Sequence, residues 1–301
     1  MDGPELASIL GPSLAGALEQ RGFERLTTVQ EAVLDPALAG RDLRITSQTG
    51  SGKTVAIGLA IRELVQAAAE ASGKPNGAKP CAIVVAPTRE LAKQVEEELR
   101  WLYAGLRAKV VAVTGGASYI DERRGLASGP AIVVGTPGRL LDHLNRRNID
   151  PSEVGAIVLD EADRMLDLGF REDLEAILAF APEGHRSHLI SATFPHYVRA
   201  LADKVQNDPA HVEGTPLGAA NADIDHVVHL VDPYERIDAI VNLLLMYPDE
   251  QTLVFARTRA DVARIARDLG ASGFAVSSIS GEMEQPARNR ALAEFKDGRL
   301  R

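Results

Sequence analysis

The chain has 301 residues, 45% of them apolar and 25% charged, with a net charge of −9 and one cysteine. That length accommodates about two domains with well-filled cores, which excludes wholesale disorder, a disulfide-stapled miniprotein and a multi-cysteine zinc centre. An acidic chain has no diffuse positive field with which to coat nucleic acid, so any such binding has to come from local basic residues and backbone amides.

In chain order, Asp2 and Glu5 stand where a secretory leader would carry lysine or arginine, and no apolar run approaches the ~20 residues of a membrane span. A cytoplasmic protein without a membrane partner is expected. Short β-branched runs then alternate with amphipathic stretches. Strands are predicted at 43–47, 81–86, 109–113, 131–135, 156–160 and 187–191, and helices at 13–21, 29–38, 53–70, 89–104, 137–146, 170–179 and 195–204. The alternation is the signature of βαβ units, and unbroken runs such as Ala156-Ile157-Val158-Leu159 suit strands covered by helices on both faces. Cys81 lies in such a run and reads as a core residue.

Residues 72–80 read as a surface loop, and 214–225, rich in glycine, alanine and proline, as a linker. Beyond it, strands are predicted at 226–231, 251–256 and 274–279 with helices at 234–246, 258–271 and 286–296, too few strands for a doubly wound sheet of their own. Residues 226–301 hold 10 Lys+Arg against 11 Asp+Glu, leaving 23 against 31 for the rest, so the acidic excess precedes the linker. His226 and His229 fall on opposite faces of a predicted strand, and His185 and His188 flank a loop-to-strand junction; neither pair is placed to share a metal. No heptad pattern or exposed apolar run demands a dimer, and a monomer is expected. The fold class is therefore α/β, with a parallel sheet flanked by helices in 1–213, a linker at 214–225 and a smaller partial unit at 226–301.

The chemistry concentrates at strand ends. Ser47-Gln48-Thr49-Gly50-Ser51-Gly52-Lys53-Thr54 follows a strand and opens a helix, the setting of a phosphate-binding loop. Glycines let backbone N–H groups turn onto phosphate oxygens, the lysine reaches the outer phosphates, and the threonine hydroxyl completes a Mg²⁺ shell. Asp160-Glu161-Ala162-Asp163 leaves the carboxyl end of a buried strand, the edge at which open α/β sheets bind ligands. An aspartate there holds Mg²⁺, largely through water, and the adjacent glutamate activates the attacking water in phosphoryl transfer.

The acidic tetrapeptide, with Pro87-Thr88-Arg89-Glu90-Leu91-Ala92, Gly115-Gly116, Thr136-Pro137-Gly138-Arg139 and Ser191-Ala192-Thr193, resembles the ordered motif set of the DEAD-box RNA helicases, over about Gly22 to Gly298. The resemblance implies two RecA-like domains, the second incomplete, that grip an RNA strand in the presence of ATP and Mg²⁺. It implies catalytic roles for Lys53, Asp160 and Glu161, with Thr54 and Asp160 at the metal. Gly22-Phe23, Thr27 and Gln30 resemble the adenine-reading segment, with Gln30 at the adenine edge, although Leu26 and Thr28 replace its usual prolines and its upstream aromatic is missing.

By the same resemblance, Pro87, Thr88, Arg89, Gly115, Gly116, Thr136, Pro137, Gly138 and Arg139 hold the RNA backbone, and none of them reads a base edge. They suit that task physically: they offer glycine or helix-start amides, hydroxyls and forked arginines, and sugar hydroxyl contacts would separate RNA from DNA. Asp163 with Ser191 and Thr193 would link nucleotide state to RNA grip. In the second unit, Leu253-Val254-Phe255-Ala256-Arg257-Thr258-Arg259 and Gln285-x-x-Arg288 with Phe295 and Gly298 resemble family motifs, and Gly281 follows Ser280 where the family shows histidine. Thr258, Gly281, Gln285 and Arg288 are the RNA-contact candidates there. Nothing in 226–301 matches the family's Arg-Gly-Asp-type or His-Arg-x-Gly-Arg segments, so a truncated chain that binds Mg-ATP weakly and hydrolyses it poorly is expected. A nucleotide-gated RNA clamp and a DNA-acting P-loop ATPase are the alternatives to an ATP-dependent RNA helicase.

Overall fold

Short apolar runs bounded by turns form the strands: β1 (Leu43–Thr46), β2 (Ala82–Val85), β3 (Val110–Val113), β4 (Ile132–Gly135), β5 (Ala156–Leu159), β6 (Arg186–Ser191) and β7 (Ala210–Glu213). In this computed structural model all seven pair in parallel, in the order β3-β4-β2-β5-β6-β1-β7. The structure describes residues 3–47, 50–71, 79–214 and 224–300; Gln48, Thr49, residues 72–78 of the predicted loop and most of the predicted linker at 214–225 lie outside them.

The sheet is covered on both faces, as continuous apolar strands require. In β2, Ala82 and Val84 join one core with β1 and the long helix α3 (Lys53–Ala71), whereas Ile83 and Val85 join a second core. The first core also takes Leu10, Leu14 and Leu18 of α1 (Gly3–Gln20) and Val95, Leu99 and Leu102 of α4 (Arg89–Leu102). The second takes Leu140 and Leu144 of α6 (Pro137–Asn145), Leu174 and Ile177 of α8 (Arg171–Ala179) and Val198 and Leu201 of α9 (His196–Val205).

Several elements depart from the sequence expectation for identifiable reasons. The predicted helix 29–38 divides into α2 (Thr28–Ala32) and a 3-10 turn at Pro36–Leu38, because Pro36 lacks the N–H that would continue the helix. Helix α1 starts earlier than predicted and breaks at Gly11, with φ 74, ahead of Pro12. Helices α5 (Tyr119–Ala127) and α7 (Ala162–Asp167) were not predicted, the first hidden by its charged Asp-Glu-Arg-Arg run and the second by its six residues. Strand β7 was missed because its alternation of buried Ala210 and Val212 with exposed His211 and Glu213 spans only four residues.

Contacts divide the chain into Met1–Ala220 and Asn221–Arg301. The second unit consists of α10 (Arg236–Met246), α11 (Arg259–Ala271) and α12 (Gln285–Lys296) around Leu244, Ile265 and Leu269. The strands predicted at 226–231, 251–256 and 274–279 do not form: no ladder exists there among the described residues. Strands need neighbours and cover on their apolar faces, and Val228 (93% exposed) and Phe255 (91%) have neither. The face pattern assigned to His226 and His229 falls with that strand, as does the expectation that no apolar run stands exposed.

Candidate nucleotide and nucleic-acid site

The strand order sorts the motif loops along one edge. Adjacent strands β1, β6 and β5 deliver Gly50–Thr54, Ser191–Thr193 and Asp160–Asp163, while β2, β4 and β3 deliver Pro87–Arg89, Thr136–Arg139 and Gly115–Gly116. Register keeps the loops level: Val85 pairs with both Gly135 and Leu159, Gly135 pairs with Val113, and Thr46 pairs with Ser191.

On the β1 side, Gly50 and Gly52 both hold φ +83, open to glycine at little cost. A Cβ on Gly52 would also stand 2.3 Å from Gln30 Nε2. The loop is tied down from α2: Gln30 Nε2 donates to the Gly52 carbonyl at 3.1 Å, and Thr27 Oγ1 donates to the Ser51 carbonyl at 2.8 Å. Gln30 Oε1 accepts from Thr27 N at 3.0 Å, so the wholly buried side chain belongs to a capping box and holds the loop at the same time. The Ser47 and Ser51 hydroxyls bond to each other, a contact that a glycine at position 47 could not make.

Lys53 and Asp160 are buried at the base of this loop, and the Lys53 ammonium and one Asp160 oxygen have no hydrogen-bond partner among the described residues. Burial pushes the Asp160 carboxyl up to about 6, with the Lys53 charge pulling the other way. Glu161 adopts left-handed backbone (φ 52, ψ 52), uncommon for a residue with a Cβ, as the chain turns from β5 into α7; its carboxylate accepts from Arg164 Nη1 at 3.1 Å. Asp163 Oδ2 accepts from both Thr193 N (3.1 Å) and Thr193 Oγ1 (3.0 Å), and Asp163 N donates to Ser191 Oγ at 3.3 Å. The contact proposed between these two loops from the sequence is present.

On the β3 side, Thr88 caps α4, accepting from Leu91 N at 3.3 Å, and the Arg89 guanidinium lies over Gly115-Gly116. A Cβ on Gly116 would sit 2.1 Å from Arg89 Nη1, and φ +80 there independently selects glycine. Pro87 and Pro137 are buried, Thr136 half-buried and Gly138 exposed. Arg139 is not an outstretched fork. Its Nε lies 3.4 Å from the carboxylate of Glu122, a residue 6% exposed, and its guanidinium sits 5.4 Å from the centre of the Tyr119 ring. Glu122 also accepts from Thr114 N at 2.7 Å and meets His143 Nε2 at 3.0 Å; Asn148 Nδ2 lies 3.1 Å from His143 Nδ1. A carboxylate only accepts, so this pattern fits the tautomer with hydrogen on Nε2.

The family model for DEAD/DEAH box helicases matches residues 27–201, and that for the helicase conserved C-terminal domain matches residues 235–301. The chain belongs to the DEAD/DEAH box helicase family. It is 37% identical over 291 residues to the DEAD-box ATP-dependent RNA helicase CshA of Bacillus subtilis, covering 97% of this chain and 57% of that protein. It is 38% identical to the ATP-dependent RNA helicase DeaD of Klebsiella pneumoniae, over 94% of this chain and 43% of that one, so the chain spans about half the length of these relatives. Among solved structures, a DEAD box protein from the hyperthermophile Methanococcus jannaschii aligns with TM-score 0.61 and 32% identity over 97% of this chain and 77% of its own. An RNA helicase from Chaetomium thermophilum, solved bound to ADP, aligns with TM-score 0.60 and 30% identity over 96% and 68%.

Four sequence-predicted residues of this DEAD/DEAH box chain make other contacts. Phe23 packs on the core with its ring 5.9 Å from that of Trp101. In the second unit, Thr258 caps α11, its Oγ1 accepting from Asp261 N at 3.1 Å, and Gln285 Nε2 donates to Asn289 Oδ1 at 3.0 Å. Arg288 Nη2 donates to the Ser280 carbonyl at 3.1 Å beside exposed Gly281. Gln48 and Thr49 lie outside the described residues. Sequence reasoning missed Glu122, His143 and Tyr119 altogether. The available signal was helical spacing: Glu122 shares a face with Tyr119 and Leu126, and His143 shares one with Leu140.

Proposed function

We propose that this chain is the nucleotide-binding and RNA-gripping part of an ATP-dependent RNA helicase, residues 1–213 forming its ATP-binding domain and 226–301 part of a second. One observation supports this most: a buried ammonium and a buried carboxylate oxygen, both without a hydrogen-bond partner among the described residues, at the foot of a glycine loop. Buried polar atoms left unpaired cost about 1–3 kcal/mol each, and a phosphate with its divalent cation satisfies both. The residues fit Mg-ATP: Lys53 for the outer phosphates, the amides of 50–54 for their oxygens, and Thr54 with Asp160 for Mg²⁺, largely through water. Mg²⁺ supplies neutralisation of phosphate charge.

The remaining steps belong to the protein. Glu161 leaves Arg164 to orient and deprotonate the attacking water, Lys53 holds the developing charge on the outer phosphate, and Gln30, buried while it steadies Gly52, turns outward to meet the adenine edge. Asp163 transmits nucleotide state through Ser191 and Thr193. Backbone amides and hydroxyls at 87–89, 115–116 and 136–139 take the RNA backbone without reading bases, so binding is independent of sequence. The test is steady-state ATP hydrolysis by this chain alone, with single-stranded RNA and with single-stranded DNA, using Lys53→Ala as the blank. Stimulation by RNA above DNA supports the reading, and equal stimulation by DNA overturns its RNA component.

A further inference from the structure

At the amino-terminal end of the strands a cleft of about 590 Å³ opens among α1, α2, α3, β1 and β6, with Thr28 and Glu31 of α2, the helix that carries Gln30, in its lining. Its volume is in the range of small-molecule sites. The walls are mostly apolar, with Leu34, Leu38 and Leu43 among them, and its polar groups are arranged unevenly. Arg186 and His188 lie two residues apart on β6 and so on the same face of the sheet, roughly 7 Å apart along the strand. His188 is 1% exposed, and neither of its ring nitrogens has a hydrogen-bond partner among the described residues. Nor does the Arg186 side chain make a hydrogen bond or ion pair among them, although the other two arginines of the cleft are engaged: Arg41 with Asp208 at 3.1 Å, and Arg62 with the Leu59 carbonyl at 2.9 Å and Glu63 at 3.4 Å.

We propose that this cleft is a second ligand site, which takes a small organic monoanion: an apolar body ending in one carboxylate or phosphate-ester group that Arg186 and His188 receive. A buried imidazole with two idle nitrogens and a half-buried guanidinium that makes no hydrogen bond or ion pair among the described residues, with Glu63 and Asp42 acting on it only from a distance, are unsatisfied groups of the kind that calls for an explanation, and both are satisfied by one anionic head. Burial lowers the His188 pKa to about 3 and that of Arg186 below its usual value, the nearby Glu63 and Asp42 pulling the latter back up, so the ring is a neutral donor and acceptor beside the Arg186 guanidinium. Glu31, Asp35 and Glu63 also line the cleft. Their charge disfavours polyphosphates and nucleic acid, which separates this ligand class from that of the nucleotide loop, and the leucine walls favour an alkyl or aryl body.

The probes are hexanoate, hexyl phosphate and uncharged 1-hexanol, titrated into the 301-residue chain while its melting temperature and the broadening of the probe's own NMR signals are followed. A saturable rise with hexanoate or hexyl phosphate, none with hexanol, and retention of the effect in Lys53→Ala support the site; which anion acts at the lower concentration identifies the head group. Arg186→Met should abolish the shift, and Glu63→Gln, by removing a competing carboxylate, should lower the half-saturating concentration several-fold. A rise that does not saturate, that hexanol reproduces, that Lys53→Ala removes or that Arg186→Met retains overturns the proposal. Should Arg186→Met fail to fold by circular dichroism, Glu63→Gln decides: tighter anion binding supports the site and unchanged binding refutes it.

Discussion

The two halves of the carboxyl edge are built on opposite principles. Around β1, β6 and β5 the decisive groups are buried and unsatisfied: Lys53 Nζ and one Asp160 oxygen have no partner among the described residues, and Glu161 holds left-handed backbone. Around β2, β4 and β3 the corresponding charges are satisfied before any ligand arrives, with Arg139 against Glu122 and Arg89 laid over Gly115-Gly116. The first half carries unpaired buried charge among the described residues, a cost that a strongly charged ligand would relieve. The second is a finished surface whose amides need only be in place.

The largest expected effect is on the unsatisfied half. Lys53→Ala removes a buried positive charge at the foot of the glycine loop, and nucleotide affinity measured by equilibrium dialysis should fall about 10²-fold or more. Glu161→Gln should leave that affinity within a few-fold of the parent and slow hydrolysis by about 10²–10⁴. A parent-like rate in both variants would end the assignment of this half.

On the satisfied half, Glu122→Ala should cost about 3 kcal/mol in denaturant unfolding, since Thr114 N, His143 and Arg139 all lose a buried partner. Glu122→Gln, which keeps the shape and an acceptor, should cost less. If Glu122→Ala melts like the parent, the preassembled character of this half is wrong.

Asp160→Asn should act in the opposite direction, because Asp160 belongs to the half that stores cost. Unfolded, the carboxyl titrates near about 3.9; folded, burial raises it to about 6. Between those values the folded chain keeps a proton that the unfolded chain has released, so stability falls as pH rises through the interval and is level above it. The asparagine variant should therefore be more stable than the parent at pH 7, by at most about 3 kcal/mol, with the gain vanishing below about pH 4. With Asp160 in the metal-holding role proposed for it, Mg-ATP affinity of the parent should run the other way and weaken as pH drops below about 6. Parallel melts of the two proteins from pH 4 to 8 check both signs.

Which parts of this were legible in the sequence follows the same division. The βαβ alternation and the buried strands could be read because continuous apolar runs have few other uses, and six of the seven strands lie where those runs are. The unsatisfied half was legible as well: a glycine loop before Lys53 and a carboxylate after a buried strand are chemically demanding and rarely arise for other reasons. The satisfied half was not, because its organising residue, Glu122, sits in an Asp-Glu-Arg-Arg run that reads as solvated charge, and only the tertiary approach of α6 makes it a buried acceptor. In the second unit the apolar runs at 226–231, 251–256 and 274–279 satisfied the local rule for strands, yet local pattern does not supply the neighbouring strand that each one needs.

The smallest effect is also the one that discriminates best. Arg139→Ala should weaken RNA binding by similar factors on unrelated sequences, as loss of a backbone-directed element does. The salt dependence then separates two ways of losing it. An arginine that neutralises a phosphate releases counterions, and its removal reduces the slope of log K against log[salt] by about 0.7 on a single strand. Arg139 already faces the Glu122 carboxylate at 3.4 Å, so its charge is spent inside the protein. Its removal should lower affinity through misplacement of the 136–139 turn while the slope stays that of the parent. A slope reduced by the full increment would mean that Arg139 leaves Glu122 for the RNA, and the division between a waiting half and a finished half would then hold only for the free protein.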